Sequence, residues 1–147
     1  MILSNEAATL ALGRSLSTLV RRGDVITLSG ELGAGKTTLA RGLLAALGLE
    51  SDAPSPTFAI VQTYATPETR IPVAHIDLYR IEHPDEAEEL GLDELRSDHL
   101  LLVEWPERLA LSVWHDALQL ALESLPEGGR RLTAEVPPPW EARWPPT

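Results

Sequence analysis

Residues 30–37 read GELGAGKT, which satisfies G-x-x-x-x-G-K-[ST]. Before them stands VITLS (Val25–Ser29), short, β-branched and bounded by Gly23-Asp24 and Gly30, the signature of a buried strand. After them TTLARGLLAALG predicts a helix that Gly48 ends. A strand, a glycine-rich loop and a helix in direct succession leave little freedom: the strand must lie inside a sheet and the helix must fold back over it. The glycines let the backbone wrap so that its N–H groups point inward at phosphate oxygens, while the helix presents its positive end to them. In such a loop Lys36 reaches the β- and γ-phosphates and the Thr37 hydroxyl ligates magnesium.

Composition sharpens this reading. Eleven of the twelve basic residues are Arg, and the one Lys is Lys36. An Arg-biased chain that keeps a single Lys in this loop keeps it for function rather than for solubility. The net charge of −10 argues against a free-standing nucleic-acid binder, which needs Lys and Arg against phosphates. The acidity is local, with eight acidic residues and only Arg96 in the stretch 82–98. That stretch is either a solvated helix face or an electrostatic dock for a basic partner. The absence of Cys excludes disulfides and thiolate metal sites. No apolar run approaches the ~18–20 residues of a membrane span, and the N-terminus lacks the basic region of a signal peptide, so the expectation is a cytoplasmic chain.

The 147 residues suit one domain. Residues 4–22 place Ala8, Leu12, Leu16 and Leu19 on one stripe of an amphipathic helix, capped by Ser4 or Asn5 and ended by Gly23. Pro54 and Pro56 make residues 49–57 a loop. FAIVQTY and IPVAHIDLY read as antiparallel strands joined by ATPETR, and Pro84 opens a short helix that Gly91 closes. HLLLVEW is the most apolar strand. Alternation at Leu118, Leu120 and Leu122, and again at Leu132, Ala134 and Val136, predicts a C-terminal hairpin, with helix the rival for residues 116–123. Residues 1–136 therefore form the domain, and the tail 137–147 is too Pro-rich to fold on its own.

Two carboxylates close apolar strands, Asp77 in VAHID and Glu104 in LLLVE. A strand that ends in a carboxylate can set that group at the sheet edge beside the phosphates, so Glu104 is the first choice for the metal side and Asp77 the second, unless either is an ordinary strand-end charge. His75 has no second His or Cys at ligand spacing and reads as a core or supporting residue rather than a metal ligand. Arg80 either neutralises developing charge or forms a plain ion pair.

GELGAGKTT, SPTF at 55–58, HIDLYR at 75–80 and VEWPER at 103–108 follow one another in the order and spacing of the bacterial TsaE family, also called YjeE, and the resemblance covers roughly residues 4–136. It implies a single α/β P-loop NTPase domain with a mixed sheet flanked by helices, and the ATPase needed for threonylcarbamoyladenosine formation on tRNA. By the same resemblance Gly33, Ala34, Gly35, Lys36, Thr37 and Thr38 hold the phosphates of ATP, and Thr57 is a switch-like residue near the γ-phosphate. Asp77 looks like the family's catalytic or metal-linked acid and Glu104 like its Mg2+ ligand. Trp105 lies near the nucleotide, Glu6 and Thr9 resemble positions that approach adenine, and Arg130 matches the Gly-Arg that caps base or phosphates from the final hairpin.

The implied partners are TsaD-like and TsaB-like transferase subunits, with tRNA met only through them and the isolated chain a monomer. Two rivals differ in chemistry. A small-molecule or nucleoside kinase begins with the same unit but commonly carries an Arg-rich lid, where this chain offers acid at 82–98. A nucleotide-sensing module would bind ATP without turning it over.

Overall fold

The computed structural model describes residues 1–50 and 61–146. Its strands are β1 (Ile2–Leu3), β2 (Val25–Ser29), β3 (Val61–Tyr64), β4 (Val73–Asp77), β5 (Leu100–Glu104), β6 (Leu118–Ser124) and β7 (Arg130–Glu135). Its α-helices are α1 (Glu6–Leu16), α2 (Lys36–Ala46) and α3 (Leu92–Arg96). The strands form one sheet in the order β1-β7-β6-β2-β5-β4-β3. The four inner strands β6, β2, β5 and β4 run parallel, whereas β3 and β7 pair antiparallel on either side of them. This is the expected α/β class with a mixed sheet and a C-terminal hairpin, and residues 116–123 contribute strand rather than helix.

β2, β5 and β4 are buried on both faces because both faces are covered, whereas β6 buries only the face of Leu118, Leu120 and Leu122. On one side α1 and α2 pack Leu12, Leu16, Leu39 and Leu43 against Ile26, Leu28, Leu102 and Leu120. On the other, the segment between β4 and β5 lays Ala87, Leu90, Leu92 and Leu95 over Ile76, Leu101 and Val103. The acidic stretch is thus amphipathic: Pro84–Leu90 is a tight 3-10 turn, Gly91 reverses it, and α3 follows while the carboxylates face outward. Arg96 ties this segment down by bonding Asp116 and the Gly23 carbonyl, and its guanidinium holds the Asp116 carboxyl below the usual carboxylate range.

Three boundaries differ from expectation. Asn5 caps α1, its side chain accepting from the Ala8 N–H at 2.8 Å, but the helix stops at Leu16 rather than running to Arg22. The Ser17 and Thr18 hydroxyls bond back to the Arg14 and Ser15 carbonyls there, the usual competition of short hydroxyl side chains with the helical ladder. The two-residue β1, paired with Arg130 and Arg131, is too short to carry a periodic signal. The Pro-rich tail makes a 3-10 turn at Pro138–Trp140 and docks Trp140, 1% exposed, into the helical face of the core. Arg143 stacks on that indole at 4.0 Å and grips Asp24 with two bonds of 2.7 and 3.1 Å.

The backbones of α1 and α2 approach each other closely. A Cβ at Gly13 would lie 2.5 Å from the Leu39 carbonyl oxygen, and one at Gly42 would lie 2.6 Å from that of Leu10. The two backbones meet at this pair of glycines, which fixes how α2 sits and hence where the glycine-rich loop begins. Gly13→Ala is expected to destabilise the fold by about 1–3 kcal/mol in urea denaturation, although alanine is favoured over glycine in a helix interior by about 1 kcal/mol. Stabilisation by that variant would show that the helices separate freely.

Candidate functional site

β2, β4 and β5 end at the same edge, and their chain exits bound an open cleft of about 430 Å³. Crevices outside the carboxyl ends of parallel strands are where α/β sheets hold ligands. The loop from Gly30 to Lys36 forms one wall. Gly33 (φ 80°) and Gly35 (φ 104°) take left-handed backbone conformations that side chains resist, and a Cβ at Gly33 would meet nothing but open space. The loop is therefore shaped by backbone need, and within it the Ala34 N–H closes a turn onto the Glu31 carbonyl at 3.0 Å just before α2 begins.

Lys36 opens α2 and is 5% exposed. Its ammonium donates to the carbonyls of Gly30 (2.5 Å) and Glu31 (3.3 Å) and sits 4.0 Å from the centroid of the Trp105 ring. Burial lowers its pKa from the ordinary lysine value, opposed by the negative charges of Glu104, Glu107 and Asp77. Trp105 can reach over Lys36 because its backbone is left-handed (φ 60°), the one non-glycine among the described residues to be so. Its ring also meets Tyr79 at 4.9 Å, and Arg108 lies 5.4 Å above Tyr79.

Opposite the loop, Asp77 and Glu104 are paired neighbours at the ends of β4 and β5, both buried. Asp77 accepts from the Tyr79 N–H at 2.8 Å, which turns the chain sharply out of the sheet. The Glu104 carboxylate has one oxygen 3.3 Å from the Thr37 hydroxyl and the other 2.6 Å from Nε2 of His75. Thr37, Glu104 and Asp77 thus converge on the loop as an all-oxygen set, the donor type a hard divalent cation takes when water and phosphate complete its shell. Among the described residues no group of three or more His, Cys, Asp and Glu encloses an ion alone.

The third wall comes from the far side of the molecule. Arg130, at the start of β7, donates to the carbonyls of Ala34 (2.8 Å), Gly33 (3.1 Å) and Gly129 (2.9 Å). Glu6 and Thr9 of α1 line the cleft with Asn5, and Thr38 lines it beside Thr37. The structure thus brings Glu6, Thr9, Gly33, Gly35, Lys36, Thr37, Thr38, Asp77, Glu104, Trp105 and Arg130 together, while the Ala34 side chain is buried behind the loop. Thr57 lies outside the described residues. Arg80 follows Tyr79 on the outer turn and does not line the cleft. Sequence reasoning missed Leu32, 72% exposed at the lip, and the aromatic contact of Tyr79 with Trp105, because neither belongs to a periodic pattern.

Fold and site together define a mixed-sheet α/β protein whose polar groups gather at a glycine-rich strand-to-helix loop. The sequence profile described as "Threonylcarbamoyl adenosine biosynthesis protein TsaE" matches residues 3–132, and the chain belongs to this family, which acts in threonylcarbamoyladenosine biosynthesis on tRNA. It is 44% identical over 113 residues to the tRNA threonylcarbamoyladenosine biosynthesis protein TsaE of Streptomyces coelicolor, covering 76% of each chain. To the Bacillus subtilis TsaE it is 36% identical over 130 residues, covering 88% of this chain and 80% of that one. The crystal structure of Bacillus subtilis YdiB superposes with a TM-score of 0.72 at 30% identity, over 91% of this chain and 82% of the other.

Arg130 braces the loop through carbonyls alone, so its removal should loosen the loop without melting the core. Arg130→Met is expected to speed hydrogen exchange of the amides at 33–36 about tenfold, with global stability changed by no more than about 1 kcal/mol. Unchanged exchange would make the guanidinium a bystander.

Proposed function

We propose that this chain binds ATP with Mg2+ in the cleft and hydrolyses it, and that the turnover drives the cycle of a TsaB-like and TsaD-like transferase pair. One observation carries the reading: the loop of sequence GELGAGKT, which ends on Thr37, lines one cleft with the two strand-end carboxylates Glu104 and Asp77, and the Thr37 hydroxyl lies 3.3 Å from Glu104.

Each side chain has a distinct task in this scheme. The loop N–H groups and the end of α2 receive phosphate oxygens. Lys36 exchanges the neutral Gly30 and Glu31 carbonyls for anionic oxygens of the terminal phosphates. Thr37 and Glu104 would hold the cation, which would supply neutralisation of phosphate charge. Asp77 orients the attacking water. Trp105 and Arg130 border the nucleotide, and Glu6 and Thr9 face its base. The resident contact of Trp105 with Lys36 keeps water from the ammonium until phosphate arrives.

The partner side of the proposal draws on charge and exposure. With a net charge of −10 the lone chain offers RNA little attraction, so tRNA is reached through the partners. The outward carboxylates of residues 82–98 suit a basic partner surface, and the exposed Leu32 at the cleft lip suits contact that shields the nucleotide from solvent. Among the described residues no helix is long and apolar enough to cross a membrane.

Lys36→Ala and Thr37→Ala are each expected to reduce multiple-turnover phosphate release by at least about a hundredfold while far-UV circular dichroism stays unchanged. Glu104→Gln should raise the Mg2+ concentration for half-maximal rate, and Asp77→Asn should bind MgATP yet turn it over slowly. Parent rates in the loop variants would defeat the assignment, and a phosphorylated small-molecule acceptor in the product mixture would favour a kinase. Separately, low-salt titration should find no micromolar tRNA binding by the isolated chain, and phosphate release should rise when TsaB-like and TsaD-like subunits are added. A rate indifferent to those subunits would remove the coupling.

A further inference from the structure

We infer that His75 is a positioning residue that holds one oxygen of Glu104, so that only the other is presented to Thr37 and the bound cation; the inference rests on the MgATP reading above. His75 lies on β4 two residues before Asp77, hence on the same face of the strand. Its register partner in β5 is Leu102, two residues before Glu104. The imidazole therefore stands diagonally beside the Glu104 carboxylate, within reach of a long side chain. The ring is 0% exposed, and Nε2 is 2.6 Å from Oε2. Facing an ionised carboxylate, Nε2 carries the hydrogen and donates it.

The two oxygens of Glu104 are thereby distinguished. Oε1 accepts from the Thr37 hydroxyl, whose hydrogen rotates freely and can turn away when a cation takes its place. Oε2 accepts from a ring fixed inside the sheet, which has no such freedom. Glu104 is left with one oxygen to meet a metal and one retained by the protein.

Simple packing does not account for this residue. The other apolar positions of β4, Val73, Ala74 and Ile76, are all buried, and an aliphatic side chain would fit their pattern. His75 instead leaves Nδ1 buried with no hydrogen-bond partner among the described residues, a cost that a leucine would avoid. The ring is retained for what Nε2 does. Partners of this kind, behind a metal ligand, typically change metal affinity or activity 10–100-fold when removed.

The test compares His75→Leu, which removes the donor, with His75→Gln, whose amide nitrogen can replace Nε2, and with His75→Asn, whose amide falls short of Glu104. Mn2+ binding in the presence of a non-hydrolysable ATP analogue is read by electron paramagnetic resonance, and affinity for the same analogue in EDTA is read by calorimetry. Expected is about a tenfold weaker Mn2+ affinity for His75→Leu and His75→Asn, recovery to within about threefold for His75→Gln, and unchanged metal-free nucleotide affinity in all three. If His75→Leu does not fold, the Gln and Asn variants carry the comparison. Equal Mn2+ affinity in Gln and Asn variants, or parent affinity in either Leu or Asn, overturns the inference. Failure of the unmutated protein to bind Mn2+ with the analogue overturns instead the MgATP reading beneath it.

Discussion

The parallel register of β2, β5 and β4 at the centre of the sheet decides where every polar group of the cleft can be. Leu28 pairs with Glu104, and Glu104 with Asp77, so the exit of the glycine-rich loop and both carboxylates reach one edge in step. Side chains alternate with a period of two along a strand. A slip of one residue would send Glu104 to the opposite face, away from Thr37. The slip is prevented by the aliphatic residues that precede it: Leu101 and Val103 belong to one core and Leu100 and Leu102 to the other, and both would be misplaced together. The apolar run that makes β5 so legible is also what aims its final carboxylate.

Two more distant contacts turn this edge into a cleft. The glycine contact between α1 and α2 brings the first helix close enough for Glu6 and Thr9 to form a wall, and the β6–β7 hairpin swings Arg130 across to the loop carbonyls. Both ends of the described chain support this arrangement. β1 pairs with β7 just where Arg130 begins the strand, and Trp140 and Arg143 secure the turn between α1 and β2. The walls therefore come from residues more than a hundred positions apart, joined by packing rather than by the motif.

That separation explains which features the sequence revealed. The loop unit, β2, α2, the antiparallel β3–β4 pair and the final hairpin were legible because each satisfies a local rule of period, glycine placement or turn chemistry. Asp77 and Glu104 were legible as strand-end charges, and their convergence follows from register alone. The shortened α1 was not, because the apolar stripe continues through Leu19 while the Ser17 and Thr18 hydroxyls redirect the backbone. Nor was the docking of the tail: proline content tells that a segment lacks structure of its own, but not that Trp140 will be buried. The bond from His75 to Glu104 depends on diagonal placement across two strands, between residues 29 apart in sequence, which no spacing rule encodes.

The electrostatics of the cleft explain why a buried lysine can wait there. Removing an ammonium from water is costly unless its charge is answered, and Lys36 loses most of its solvent. Two carbonyls and the face of an indole replace that water, and the fields of Glu104, Glu107 and Asp77 favour the charged form against desolvation. Trp105 can supply its face only by adopting a left-handed backbone, a conformation that costs a non-glycine residue of order 1–2 kcal/mol. The strain sits where β5 leaves the sheet, directly after Glu104, so the residue that shields the lysine is adjacent to the carboxylate that balances it. Loop, aromatic ring and acid pair thus meet at one buried ammonium, and the contacts of Trp105 with Tyr79 and of Tyr79 with Arg108 continue that packing outward from the cleft.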